Sequence, residues 1–294
     1  MSTTALILVL AAAIAHAAWN IIAAGSSRSG LPFLWWGSLF GAGIWAAAIP
    51  LTGGLGDANI SDFIRGIVVS GVLHVAYMLV LQRGYASGDL ATVYATARGS
   101  GPILTVIVAL LLFGERPTPL ALVGVAVVIA GVVGVGFAGG APVRRTTGAG
   151  RHRMDPGIIY GLLTGVAIAA YTLWDAHAMT ELGLPPVAYL VGFMALELPF
   201  FSALMMPGRR YRELTATFRA GWKSLLAFGL LSPLSYILVL IATTIAPISL
   251  VAPVREVSVV LVSVYGVVVA HRSRPLLRIG AALVVVCGVV LVGS

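Results

Sequence analysis

The chain has 294 residues, 59% of them hydrophobic and only 10% charged, against roughly 25% charged in a soluble domain; its mean hydropathy is +1.02. The net charge of +8 is carried by short clusters between apolar runs, with no stripe of Lys/Arg interleaved with aromatics, which excludes nucleic-acid binding. The single cysteine, Cys287, excludes a disulfide framework and a cysteine metal site, and reads as a buried, inert thiol.

In chain order, residues 5–17 form an apolar run ending in Ala15-His16-Ala17, which mimics a signal-peptidase site. No Lys or Arg precedes the run and it continues through Ala24, so it reads as a retained first helix. A helix needs ~20 apolar residues to cross the hydrocarbon. Ten such spans follow one another, at about 4–24, 31–51, 63–86, 89–113, 117–138, 157–179, 185–206, 221–243, 246–270 and 275–293. The one linker-like segment, 139–156, separates five spans from five. The expectation is therefore an all-α polytopic membrane protein of ten transmembrane helices: a first repeat over 1–138, the linker, and a second repeat over 157–294.

Five is odd, so the second repeat enters the membrane in the opposite sense, giving the inverted repeat of many secondary transporters. Internal matches favour a duplication. Arg98 and Arg255 lie 157 residues apart, and the same offset carries Gly131 onto Gly288 and Gly136 onto Gly293. Trp19-Asn20 parallels Trp174-Asp175, and Tyr77 parallels Tyr236. Loops after odd-numbered spans hold 14 basic residues (Arg278 among them) and loops after even-numbered spans hold 2. By the positive-inside rule both termini lie outside and the linker lies in the cytoplasm. Glycines at i, i+4 (Gly157/Gly161/Gly165, Gly37/Gly41 and Gly84/Gly88) read as close helix contacts.

Arg98 and Arg255 stand in the middle of apolar spans, where a charge costs at least ~2.5 kcal/mol. Tyr94 lies one turn from Arg98, and the pair suggests a cavity wall able to hold a carboxylate, since arginine binds one bidentately; a structural pair between Arg98 and a buried acid such as Glu256 is the alternative. His16, Trp19 and Asn20 on the first span and His74 and Tyr77 on the third are further substrate-binding candidates. So are Tyr171, Trp174 and Asp175 on the sixth, Tyr236 on the eighth, and Arg255 and Glu256 on the ninth. For the histidines the alternative is a hydrogen-bonded packing role, and for Trp174 an interfacial anchor. The five histidines are scattered, and neither His-Glu-x-x-His nor Gly-x-Ser-x-Gly occurs, so no enzyme, cofactor or metal site is expected.

The stretch LLLFGERPTPLALVGVAVVIAGVVGVG (110–136) resembles the EamA signature of the drug/metabolite transporter superfamily, in which Gly-Glu ends one helix, Pro starts the next and spaced glycines follow. The second copy (267–293) departs from it, with His271-Arg272 in place of Gly-Glu, so Glu115 reads as a cap on its own helix end or a partner of Arg116. The resemblance implies export of small metabolites or drugs across the bacterial inner membrane through a central cavity. Within the superfamily it is nearest to the ten-helix amino-acid exporters, including those for aromatic amino acids. It also implies cytoplasmic termini, against the charge count, which is kept here. The expected partners are the lipid bilayer, a small zwitterionic substrate and protons as coupling ion, with the chain a monomer or weak homodimer. Proton-coupled export of cationic drugs is an alternative, although small multidrug relatives use a carboxylate in the first helix and this first span has none. Transport of sugar- or nucleotide-type metabolites is another.

Overall fold

A computed structural model describes residues 1–23, 30–88, 90–139, 156–206, 212–269 and 275–294. Nearly all of the linker 139–156, the His271-Arg272 pair and most of the basic loop residues lie outside these. Among the described residues there are no strands, only helices: α1 (Thr3–Ala23), α2 (Leu31–Ala46), α3 (Ile60–Ser87), α4 (Leu90–Leu111), α5 (Pro119–Gly139), α6 (Pro156–Thr180), α7 (Pro186–Met205), α8 (Glu213–Thr243), α9 (Ile248–Arg255), α10 (Val257–Val268) and α11 (Pro275–Gly293). Eight spans are long and apolar enough to cross a bilayer, α9 and α10 together making one of them over Ile248–Val268. The apolar helices α2 and α5 complete the ten. Ile7 and Ile14 on α1, each 61% exposed and seven residues apart, and Leu276 and Val290 on α11, 85% and 64% exposed, turn bare apolar side chains outward. Such a surface is stable only against lipid.

Three details differ from the sequence reading. The eighth span, expected from residue 221, begins as a helix at Glu213, but Gly221 (φ −157°, ψ 36°) kinks it there, so the apolar part still starts where hydropathy placed it. The ninth span is not continuous. Pro253 removes the N–H that would bond the Ser249 carbonyl, and the chain tightens into three-residue turns: Glu256 N–H to Pro253 O at 3.0 Å, Val259 N–H to Glu256 O at 2.9 Å. The break falls on Arg255-Glu256, the two charged residues of the span. Cys287, expected inside, is exposed, because it shares the outer face of α11 with Leu283, Val284, Val286 and Val290. Arg278, counted above as a loop charge, is a buried residue of α11 whose Nη1 donates to Ser263 Oγ on α10 at 3.0 Å; this removes one of the fourteen and leaves the asymmetry.

The chain divides into two compact units, each drawing on both halves of the sequence. The first comprises Met1, Ala76–Thr172 and Pro247–Ser294; the second comprises Ser2–Val75 and Leu173–Ala246. In the first unit α5 packs on α4 and α11, around a valine-rich core of Val128, Val132, Val135, Val259, Val260 and Val285. The glycine spacings serve these contacts. Gly161 of α6 lies on Thr96 of α4, Gly101 of α4 lies on Ile168 of α6, and Gly288 of α11 lies against the backbone of Gly124 and Val128 on α5. In the second unit α8 packs on α1 and α2, and α2 on α7. Here Gly229 admits Phe40, and Phe228 bridges Trp19 and Phe33 with ring centroids 4.9 Å from each.

A Cβ at Gly288 would lie 2.7 Å from Val128 N and 2.8 Å from Gly124 O, both backbone atoms, whereas a Cβ at Gly280 on the same helix meets nothing within 4 Å. Gly288→Ala should therefore force α5 and α11 apart and destabilise by about 1–3 kcal/mol. Gly280→Ala should be neutral or stabilise by up to about 1 kcal/mol. Thermal unfolding of the detergent-solubilised variants checks the pair, and equal melting temperatures would contradict the assigned contact.

Candidate functional site

In the second unit, four helices converge on one carboxylate. Asp175 of α6 is 1% exposed. Its Oδ1 accepts from Ser70 Oγ of α3 at 2.7 Å and from Tyr189 OH of α7 at 2.6 Å. Its Oδ2 accepts from Tyr236 OH of α8 and lies 3.9 Å from His74 Nε2 of α3. Ser70 and His74 are one helical turn apart and so present one face. The His74 ring stacks on Phe193 of α7, with centroids 4.5 Å apart, and its Nδ1 lies 3.0 Å from the Ser70 carbonyl oxygen. Three hydroxyl donors on two oxygens give an acceptor-only group the partners that hydrocarbon cannot.

The remaining candidates of this unit are held more locally. Trp174 Nε1 donates to Gly66 O at 3.1 Å, which fastens α6 to α3 and replaces the suggested interfacial anchor. On α1, Asn20 Nδ2 donates to His16 O at 2.8 Å, and His16 meets Trp19 edge-on at 5.0 Å. Trp19 Nε1 is buried with no hydrogen-bond partner among the described residues. Glu197 of α7, 1% exposed, accepts from Ser38 Oγ of α2 at 2.5 Å.

In the first unit the central feature is an ion pair. Arg98 Nη1 of α4 lies 3.2 Å from Glu256 Oε1 and 3.4 Å from Oε2, with side-chain exposures of 13% and 6%. The Arg98 guanidinium carbon sits 5.3 Å from the ring centroid of Tyr94, one turn back on the same helix. Tyr77 and Tyr171 form a neighbouring aromatic pair, centroids 5.3 Å apart. Glu256 is the residue between α9 and α10, so the pair ties α4 to the break in the ninth span. Arg255, the last residue of α9, is partly buried beside it. Glu115 caps neither its own helix end nor pairs with Arg116 in the manner expected. Its two oxygens accept the Ile248 and Ser249 N–H groups at 2.8 and 3.0 Å, so it caps α9 from the turn between α4 and α5. Gly114, at φ +67°, makes that turn. A carboxylate against a helix N-terminus satisfies donors that have no intrahelical partner.

Sequence reasoning did not single out Ser70, Tyr189, Phe193 or Ser38. Ser70 carried a signal: it sits one turn before His74 on an apolar helix. Among the described residues no group of three or more His, Cys, Asp or Glu is arranged to hold a metal ion.

Ten apolar spans, with paired charges and hydroxyl-wrapped carboxylates buried inside them, define a polytopic membrane protein of the solute-carrier type. The chain belongs to the EamA-like transporter family, whose model matches residues 3–137 and 155–294, the two repeats; this places it in the drug/metabolite transporter superfamily. No curated protein matches it. Among solved structures 28 chains match. One, titled "Crystal structure of protein", has a TM-score of 0.75 at 15% identity, covering 99% of this chain and 96% of that one. At that identity the likeness is one of fold.

Breaking a buried ion pair from one side leaves an uncompensated charge and costs about 3–5 kcal/mol, whereas apolar replacement of both partners is often nearly neutral. Arg98→Leu or Glu256→Leu alone should therefore lower expression and thermal stability more than the double variant does. Additive losses in the double variant, read by size-exclusion chromatography and melting in detergent, would contradict a direct pair.

Proposed function

We propose that this carrier exports amino acids or similar small zwitterions by alternating access, and that Arg98 and Glu256 are its substrate-binding charges. The observation that carries the reading is the Arg98–Glu256 pair at the break between α9 and α10, with Tyr94 against the guanidinium. Interrupted helices are where secondary transporters commonly place substrate.

A buried ion pair also selects its ligand by charge balance. A ligand with one charge could engage one partner only by stranding the other in a low-dielectric interior. A zwitterion brings both signs: its carboxylate takes the Arg98 guanidinium, its ammonium takes Glu256, and no charge is left alone. The flanking Tyr94, Tyr77 and Tyr171 supply aromatic surface for a side chain, and a tyrosine face also attracts the ammonium. Exchange of one ion pair for two costs little in either direction, which suits a site that must release as well as bind. The basic-loop asymmetry supports an orientation with both termini periplasmic in a bacterial inner membrane.

The test is efflux from proteoliposomes loaded with a mixed pool of amino acids, nucleosides, sugars and cationic dyes, read by mass spectrometry beside protein-free liposomes. Selective loss of amino acids is expected, reduced at least ~10-fold in Arg98→Ala, the equivalent of about 1.4 kcal/mol. Loss of dyes or sugars with amino acids retained would overturn the reading.

A further inference from the structure

We propose that His74 and Asp175 form a proton-carrying site, in which Nε2 of His74 takes up and releases one proton against the Asp175 carboxylate. The inference deepens the carrier reading by naming its coupling ion, and rests on that reading for its use in transport.

The hydrogen-bond network assigns the tautomer of the ring. Ser70 Oγ has one hydrogen, and that hydrogen goes to Asp175 Oδ1 at 2.7 Å. Its contact with His74 Nδ1 at 3.2 Å is therefore one in which the serine oxygen accepts. The Ser70 carbonyl, 3.0 Å from the same nitrogen, can only accept. Both neighbours place a hydrogen on Nδ1, so the ring's other nitrogen, Nε2, is the one whose proton is variable. A neutral ring would turn a lone pair toward Asp175 Oδ2, 3.9 Å away; a protonated ring turns an N–H toward it and makes an ion pair.

The groups around the pair fix where the proton goes. Facing it are Ser70 from α3, Tyr189 and Phe193 from α7, and Tyr236 from α8. Three of these are hydroxyls that donate to the carboxylate and keep it an acceptor, while Phe193 is apolar. The charged group in contact with the ring is Asp175. On proton uptake at Nε2 the charge of the pair goes from −1 to zero, and on release it returns. His74 and Asp175 are 7% and 1% exposed, and a neutral ion pair costs much less than a lone carboxylate in such surroundings. The duplication sharpens the assignment. The position matching Asp175 in the first repeat is Asn20, whose amide donates to His16 O at 2.8 Å, so that copy holds a group that cannot titrate.

The experiment applies pH jumps, with no substrate present, to proteoliposomes on a solid-supported membrane and records transient current. The wild type should give a charge displacement that follows a one-site titration, and His74→Gln should lower it at least ~10-fold. Tyr236→Phe removes a hydrogen bond from the oxygen that faces Nε2, which makes the carboxylate hold the proton more tightly. Its titration midpoint should move up by about one pH unit, the tenfold change expected when a hydrogen bond to a charged group is lost. No current in the wild type, undiminished current in folded His74→Gln, or an unmoved midpoint in Tyr236→Phe would each overturn the proposal. Should His74→Gln fail to fold, the Tyr236→Phe midpoint decides. Amino-acid counterflow at equal pH on the same liposomes reports the Arg98–Glu256 site alone, so failure of the substrate reading is separately visible.

Discussion

Hydrocarbon offers a charged side chain no partner, so every ionised group inside a span must bring its own, and much of the helix arrangement within each unit follows from where those partners sit. Asp175 gathers Ser70, His74, Tyr189 and Tyr236, and in doing so ties α3, α6, α7 and α8 together. Glu256 does the same for α4 and the ninth span through Arg98. Apolar packing cannot supply this specificity, because lipid tails solvate valine and leucine about as well as a neighbouring helix does. The close glycine contacts bring the helices together; the buried polar groups then fix which rotation of each helix is tolerated.

The Arg98–Glu256 pair and the Asp175 cluster differ in a way that bears on function. Asp175 is bonded by neutral hydroxyls, which can hold a carboxylate in both of its charge relationships with His74. Arg98 is bonded by an opposite charge, so its partner can be exchanged only for another anion. The first arrangement suits a particle as small as a proton, the second a ligand carrying charge of its own. Glu115 is a third use of a carboxylate, spent on the N–H groups that open α9. It anchors one end of the interrupted span whose other end meets Arg98.

Much of this was legible in the sequence. Hydropathy located the spans because a bilayer imposes one length on all of them, and the repeat showed in the shared offset of Arg98 and Arg255. The Arg98–Glu256 pair could be suggested because acids within the spans are few. Ser70 and Tyr189 escaped notice because serine and tyrosine are ordinary in membrane helices, and only helix rotation reveals that they face Asp175. The capping of α9 by Glu115 spans 133 residues of sequence and leaves no periodic trace. The break at Arg255-Glu256 did leave one, in Pro253, but a proline alone does not say whether a helix bends or stops. Cys287 was misplaced for a related reason: in a membrane, apolar character does not distinguish the inside of a protein from its lipid face.

The most direct measurement is equilibrium binding, by calorimetry on the detergent-solubilised wild type, of one amino acid beside its methyl ester and its N-acetyl derivative. The ester keeps only the ammonium and the acetylated form only the carboxylate. If a zwitterion is recognised by exchanging one ion pair for two, the parent amino acid binds and each single-charge analogue is weaker by at least ~10-fold. Equal binding of either analogue would contradict recognition through the Arg98–Glu256 pair.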